Sequence, residues 1–150
     1  MKKIISSVLF YFLAITAFSQ VCINPGSLIN VKRVTVAGYQ KVIFTFKKPL
    51  QTNFLVSAVT NTTANYFDEG AVDQSLTPGC NFKKIVFTGV DWMCFTPSLF
   101  NVTNRIKAIK CKGRFEGYLT YVIGYCTSTY HHQQIVNKLK LRQIILCFKN

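Results

Sequence analysis

Apolar residues along this chain recur with a period of two far more often than with the helical period. In Lys41–Phe46, Val42, Phe44 and Phe46 share one side, the pattern of a strand with a buried face. Val31–Ala37 is rich in β-branched residues and ends at Gly38, and the tight connection to Lys41 predicts a hairpin between these first two strands. Pro49 closes the second strand. Asn53–Thr60, Lys83–Thr88, Gln133–Leu139 and Arg142–Phe148 predict further strands. In Arg105–Arg114, Ile106 and Ala108 fall on one face and Ile109 and Cys111 on the other, so a β-bulge is expected near Ala108-Ile109. Glu116–Tyr125 is apolar on both faces, as a central strand would be. Asp91–Phe95 is a short apolar run holding Trp92, the single tryptophan, which is expected in the core. No segment reads as an amphipathic helix. The sum is an all-β, single-domain β-sandwich of seven to nine strands. Its strand-rich parts, 31–60 and 105–148, are separated by a polar, turn-rich stretch at 61–81 that reads as a long loop.

The first residues follow a different logic. Met1-Lys2-Lys3 precedes an apolar run from Ile4 to Phe18, and Ala17 and Ser19 flank Phe18 as the small residues of a cleavage site. The run is about 15 residues, short of the roughly 20 that cross a bilayer. Residues 1–19 are therefore expected to be a signal peptide and 20–30 an extended lead-in with a turn at Pro25-Gly26. Residues 31–150 form the domain. No second apolar span follows, so the mature chain is expected to be secreted or periplasmic without a membrane span. Cys22, Cys80, Cys94, Cys111, Cys126 and Cys147 all lie beyond the leader. An even count in an oxidising compartment points to disulfide staples, with the pairing left open and Cys80 placed to pin the long loop. C-x-x-C is absent, which argues against a zinc or thioredoxin-type site.

Charge changes the picture further. The formal net charge is +13, and Asp68, Glu69 and Asp73, three of the five acids, sit together in the long loop. Lys110, Lys112 and Arg114 fall on one strand face, and Lys138, Lys140 and Arg142 alternate with Leu139 and Leu141. On neighbouring strands the two rows would make a solvent-facing cationic patch for phosphate, carboxylate or sulfate groups. Tyr118, Tyr121, Tyr125 and Tyr130 lie near in sequence and could stack on sugars, Tyr118 foremost. Asn61-Thr62-Thr63 and Asn101-Val102-Thr103 are glycosylation sequons.

Two segments resemble a known family. Gly38–Phe46, with its glycine, basic residue and V-x-F-x-F strand, resembles the opening of AMIN-like domains. Arg114-Phe115-Glu116-Gly117 and the strand through Ile123-Gly124 are similar to that family's F-E-G and the strand after it. Arg142–Phe148 follows at matching spacing, so the resemblance spans residues 31–148. Lys138-Leu139-Lys140-Leu141 stands where the family has asparagine-proline, the acid usual at the end of the last strand is missing near Leu146-Cys147, and the cysteines are not part of the pattern. The resemblance implies a secreted β-sandwich related to the AMIN domain of cell-wall amidases, which holds enzymes at peptidoglycan.

Candidate chemistry is sparse. Outside the long loop the acids are Asp91 and Glu116, and Glu116 at a strand start suits a carboxylate that accepts backbone N–H groups or pairs with Arg114 or Arg142. His131-His132 would point to opposite faces of a strand, so no shared metal is expected. G-x-S-x-G, P-loop and H-E-x-x-H motifs are absent. The expectation is a non-enzymatic, cofactor-free module binding an anionic envelope glycan such as peptidoglycan through Lys110, Lys112, Arg114, Lys138, Lys140, Arg142 and Tyr118. The alternative is a small secreted interaction factor, inhibitor or toxin-like, that binds a protein partner. Nucleic acid is not expected, since no reading motif accompanies the charge.

Overall fold

The computed structural model describes residues 26–48, 53–65, 76–90, 99–100 and 105–150. The leader, Cys22, Cys94, Trp92, the Asn101 sequon and the acidic triplet of the long loop lie outside these residues. Nine strands are described: β1 (Leu28–Val36), β2 (Tyr39–Lys47), β3 (Phe54–Val59), β4 (Asn81–Thr88), β5 (Leu99–Phe100), β6 (Ile106–Phe115), β7 (Tyr118–Tyr125), β8 (Thr129–Asn137) and β9 (Leu141–Lys149). They form two antiparallel sheets, ordered β1-β2-β9-β8 and β3-β4-β7-β6-β5. The two strand-rich parts of the sequence do not each make a sheet. The four-stranded sheet joins the first and last hairpins through β2 and β9, where Val42 pairs with Leu146 and Phe44 with Ile144.

One core lies between the sheets. Val42, Phe44 and Phe46 from β2 and Ile144, Leu146 and Phe148 from β9 meet Ile85, Phe87, Leu119, Tyr121 and Ile123 from the other sheet. The Phe44 and Phe46 rings each stand 5.0 Å from Phe87, and Phe44 stands 5.0 Å from Tyr121. Each such fully buried side chain contributes on the order of 1.5–3 kcal/mol by leaving water. After Tyr118, β7 is buried on both faces, as its sequence requires of a central strand. In its middle Tyr121 is fully buried, and the Tyr121 hydroxyl has no hydrogen-bond partner.

The second face of β7 is covered locally. A one-turn helix, α1 (Asn61–Ala64), is capped by the Thr60 hydroxyl, which accepts from the Thr63 N–H. Ala64 packs on Phe82 and Val122. Residues 76–79 then cross the sheet as a strap. Asn65 Oδ1 accepts from the Thr77 N–H at 2.6 Å, and Cys80 is bonded to Cys126. The expected pin at Cys80 is therefore present. The strap lies so close that a Cβ on Gly124 would meet the Pro78 carbonyl oxygen at 2.0 Å, so only glycine fits there.

Several local expectations are corrected. β1 begins at Leu28, inside the expected lead-in, and β8 begins at Thr129. The bulge in β6 falls at Lys107, one residue before Ala108. It turns Ala108 outward and lets Ile106, Ile109 and Cys111 all face the core, so Ile106 and Ala108 do not share a face. Glu116 starts no strand. With φ of 46° beside Gly117 at 80°, it sits in the two-residue turn joining β6 to β7, where two positive φ values match the twist of a hairpin.

Candidate functional site

The outer face of the four-stranded sheet follows from the core register. Because Val42, Phe44 and Phe46 point inward, Tyr39, Lys41, Ile43, Thr45 and Lys47 of β2 take the opposite face. Their cross-strand partners complete the rows. Val34, Lys41, Cys147 and His132 form one row, and Lys32, Ile43, Ile145 and Gln134 the next. Val36, Tyr39, Lys149 and Thr129 form the row nearest the β1–β2 turn. At the opposite side Gln143 donates to the Thr45 hydroxyl at 3.3 Å. No described element packs on this face, whereas α1 and the strap lie on the other sheet.

Lys32, Lys41, Lys47 and Lys149 thus share one sheet face with Tyr39 and His132, and no Asp or Glu stands among its register positions. Among all the described residues Glu116 is the sole Asp or Glu, and it lies in the turn of the other sheet. In the middle of the face Ile145 is 7% exposed and Cys147 1%, while Lys32 and Lys149 are exposed and Lys41 is half-buried. Burial pushes the Cys147 thiol up from its ordinary range, against the opposing pull of Lys41, so it is held in the unreactive thiol form. Among the described residues no three His, Cys, Asp or Glu side chains stand together as a metal-ligating group.

The seven residues singled out from sequence are not brought together. Lys110, Lys112 and Arg114 lie on β6 of the five-stranded sheet, and Arg142 on β9 of the other. Lys110 and Lys112 are 1% and 2% exposed, so their row does not face solvent. Lys110 Nζ donates to the Leu76 carbonyl of the strap at 2.6 Å, and Lys112 is the extra residue of a second bulge. Arg114 is exposed. Lys138 and Lys140 are exposed too, yet they belong to the β8–β9 turn, which closes through the Lys138 N–H to the Leu141 carbonyl at 2.8 Å. Arg142 pairs with Phe46 on the inward side and is half-buried, and Leu139 is 92% exposed. The alternation at 138–142 is a turn, and the inward positions of β9 are fixed by Ile144, Leu146 and Phe148. Of the tyrosines, Tyr121 and Tyr125 belong to the core and Tyr130 packs on Phe148 under Lys83. Tyr118 is 55% exposed.

A recess of about 660 Å³ opens beside the strap, lined by Asn61, Thr62, Asn65, Thr77 and Lys110 among others. Sequence reading did not single out Lys32, Tyr39, Lys41 and Lys149, and it set His131 and His132 on opposite faces. The lysines of β2 were detectable as the polar alternates of Val42, Phe44 and Phe46. The histidines were not, because their placement depends on a bulge. Comparison with family models, with curated proteins and with solved structures found no match.

Proposed function

We propose that this protein is an exported, non-catalytic binding module whose four-stranded sheet takes an anionic polymer of the cell envelope, peptidoglycan first. The observation that carries this reading is the outer sheet face with Lys32, Lys41, Lys47 and Lys149 and no acid among its positions. Such a face attracts polyanions at long range, and Tyr39 at its corner offers a ring for a sugar. A disulfide-bonded β-sandwich and the resemblance to AMIN-like domains fit an exported role. No described helix is long and apolar enough to cross a membrane.

Each exposed contact is worth about 1 kcal/mol or less, so retention depends on several acting together. The test is a pull-down on purified peptidoglycan and on anionic polysaccharides at low salt and at about 1 M salt, where the Debye length falls to roughly 3 Å. Low-salt retention and high-salt release are expected. The triple variant Lys32→Ser, Lys41→Ser, Lys149→Ser should lose binding about tenfold or more with its thermal unfolding unchanged. Equal binding by that variant would move the site elsewhere, with Lys138 and Lys140 the next pair to change. No retention on any polymer would favour the second reading, a protein partner. Leu55 and Tyr118, 67% and 55% exposed on the outer face of the five-stranded sheet, would then be its contact surface.

A further inference from the structure

On a regular strand, His131 and His132 would face opposite sides. Here the β8–β9 register shifts between Tyr130 and His132, so His131 is the extra residue of a bulge and the two rings come together. Their centroids are 4.7 Å apart with the planes at 78°. Both stand against Tyr39, at 5.7 Å for His131 and 6.4 Å for His132. Tyr39 backs the pair and limits its rotamers. His131 is exposed and His132 half-buried, so solvent reaches the rings.

Two imidazoles bound side by side to one ion, at about 2.0–2.1 Å per bond, have centroids roughly 4.5–5 Å apart. The observed separation lies in that range. We propose that His131 and His132 form a two-imidazole site for a divalent late transition metal, with water completing the coordination. Imidazole nitrogen suits copper, nickel and zinc, and copper(II) stands highest in the usual affinity order. Lys41 and Lys149 on the same face oppose every dication alike, and among the described residues no carboxylate stands on this face. The site therefore discriminates against magnesium and calcium, which need oxygen ligands. Cys147 pairs with His132 across the strands but is buried, and it is not a ligand in this arrangement.

The test uses the chain carrying no polyhistidine tag and no envelope polymer. Copper(II), nickel(II), zinc(II) and magnesium(II) are titrated separately by calorimetry, with electron paramagnetic resonance of the copper form. One-to-one binding of copper with two imidazole nitrogens in the spectrum is expected, weaker binding of nickel and zinc, and none of magnesium. His131→Ala and His132→Ala should each weaken copper binding about tenfold or more, since even groups that only orient a ligand are worth 10–100-fold. Cys147→Ser should bind as the parent does. His131→Asn, at an exposed position, keeps a polar side chain as a check on folding and should show the same loss as His131→Ala. Absence of saturable copper binding, undiminished binding by the double histidine variant, or loss of binding in Cys147→Ser would each overturn the proposal.

Discussion

Tyr121 places a hydroxyl in the middle of the apolar interior without a partner. A buried polar group left unsatisfied costs about 1–3 kcal/mol. Tyr121→Phe removes the group and keeps the ring against Phe44, so the variant should be as stable as the parent or more stable by up to about that amount. Denaturant unfolding at neutral pH measures it, and a clear loss of stability would show that the hydroxyl has a favourable role. The same burial has a pH consequence. Burial, with a smaller contribution from Cys111, raises the Tyr121 phenol above its ordinary 10.0, and burial also raises Tyr125, Tyr130 and Cys147. The folded chain then keeps protons that the unfolded chain releases. Stability is full below the ordinary cysteine value of 9.0 and falls as pH rises through it and through 10.0. Unfolding curves from neutral pH to alkaline pH should show this fall, shallower in Tyr121→Phe. A flat profile would refute it. What the sequence could not show at this scale is which cations are solvated. Lys110 and Lys112 read as surface charges, yet Lys110 is covered by a strap whose contact, Leu76, lies 34 residues away.

Among the elements, the strands announced themselves wherever one face was continuous. β2 was readable from Val42, Phe44 and Phe46, and β7 from its apolar run on both sides, because packing against a core imposes the period directly. Bulges and turns were less readable, since one inserted residue reverses the facing of everything after it. Lys107 in β6 and His131 in β8 are such insertions, and Lys138–Lys140 imitates a strand while forming a turn. The strap is another feature set by tertiary contact. Gly124→Ala puts a methyl where the Pro78 carbonyl stands, so strap or strand must shift. The expected loss is about 1–3 kcal/mol, typical of overpacking, read as a lower unfolding temperature with faster amide exchange at Leu76, Thr77 and Gly79. An unchanged unfolding temperature would mean that the strap yields freely.

For the whole molecule, the cysteines divide by position. Cys80–Cys126 ties the strap to the end of β7 across 46 residues, while Cys111 in the core and Cys147 on the outer face of the four-stranded sheet are buried. Cutting the bridge with Cys80→Ala, Cys126→Ala should cost up to about 4 kcal/mol in the chain-entropy account. Alkylation followed by mass spectrometry should label Cys111 and Cys147 only after denaturation, and rapid labelling of either in the native protein would contradict the packing described. The union of first and last hairpins has a temporal consequence as well. Val42, Phe44 and Phe46 are covered on one flank by residues of β9 about a hundred positions later in the chain. During synthesis the N-terminal hairpin therefore has no completed sheet to join until the last strand has left the ribosome. Long-range pairing of this kind slows folding, so the first hairpin keeps one flank of β2 unpaired until β9 has been made and reaches it.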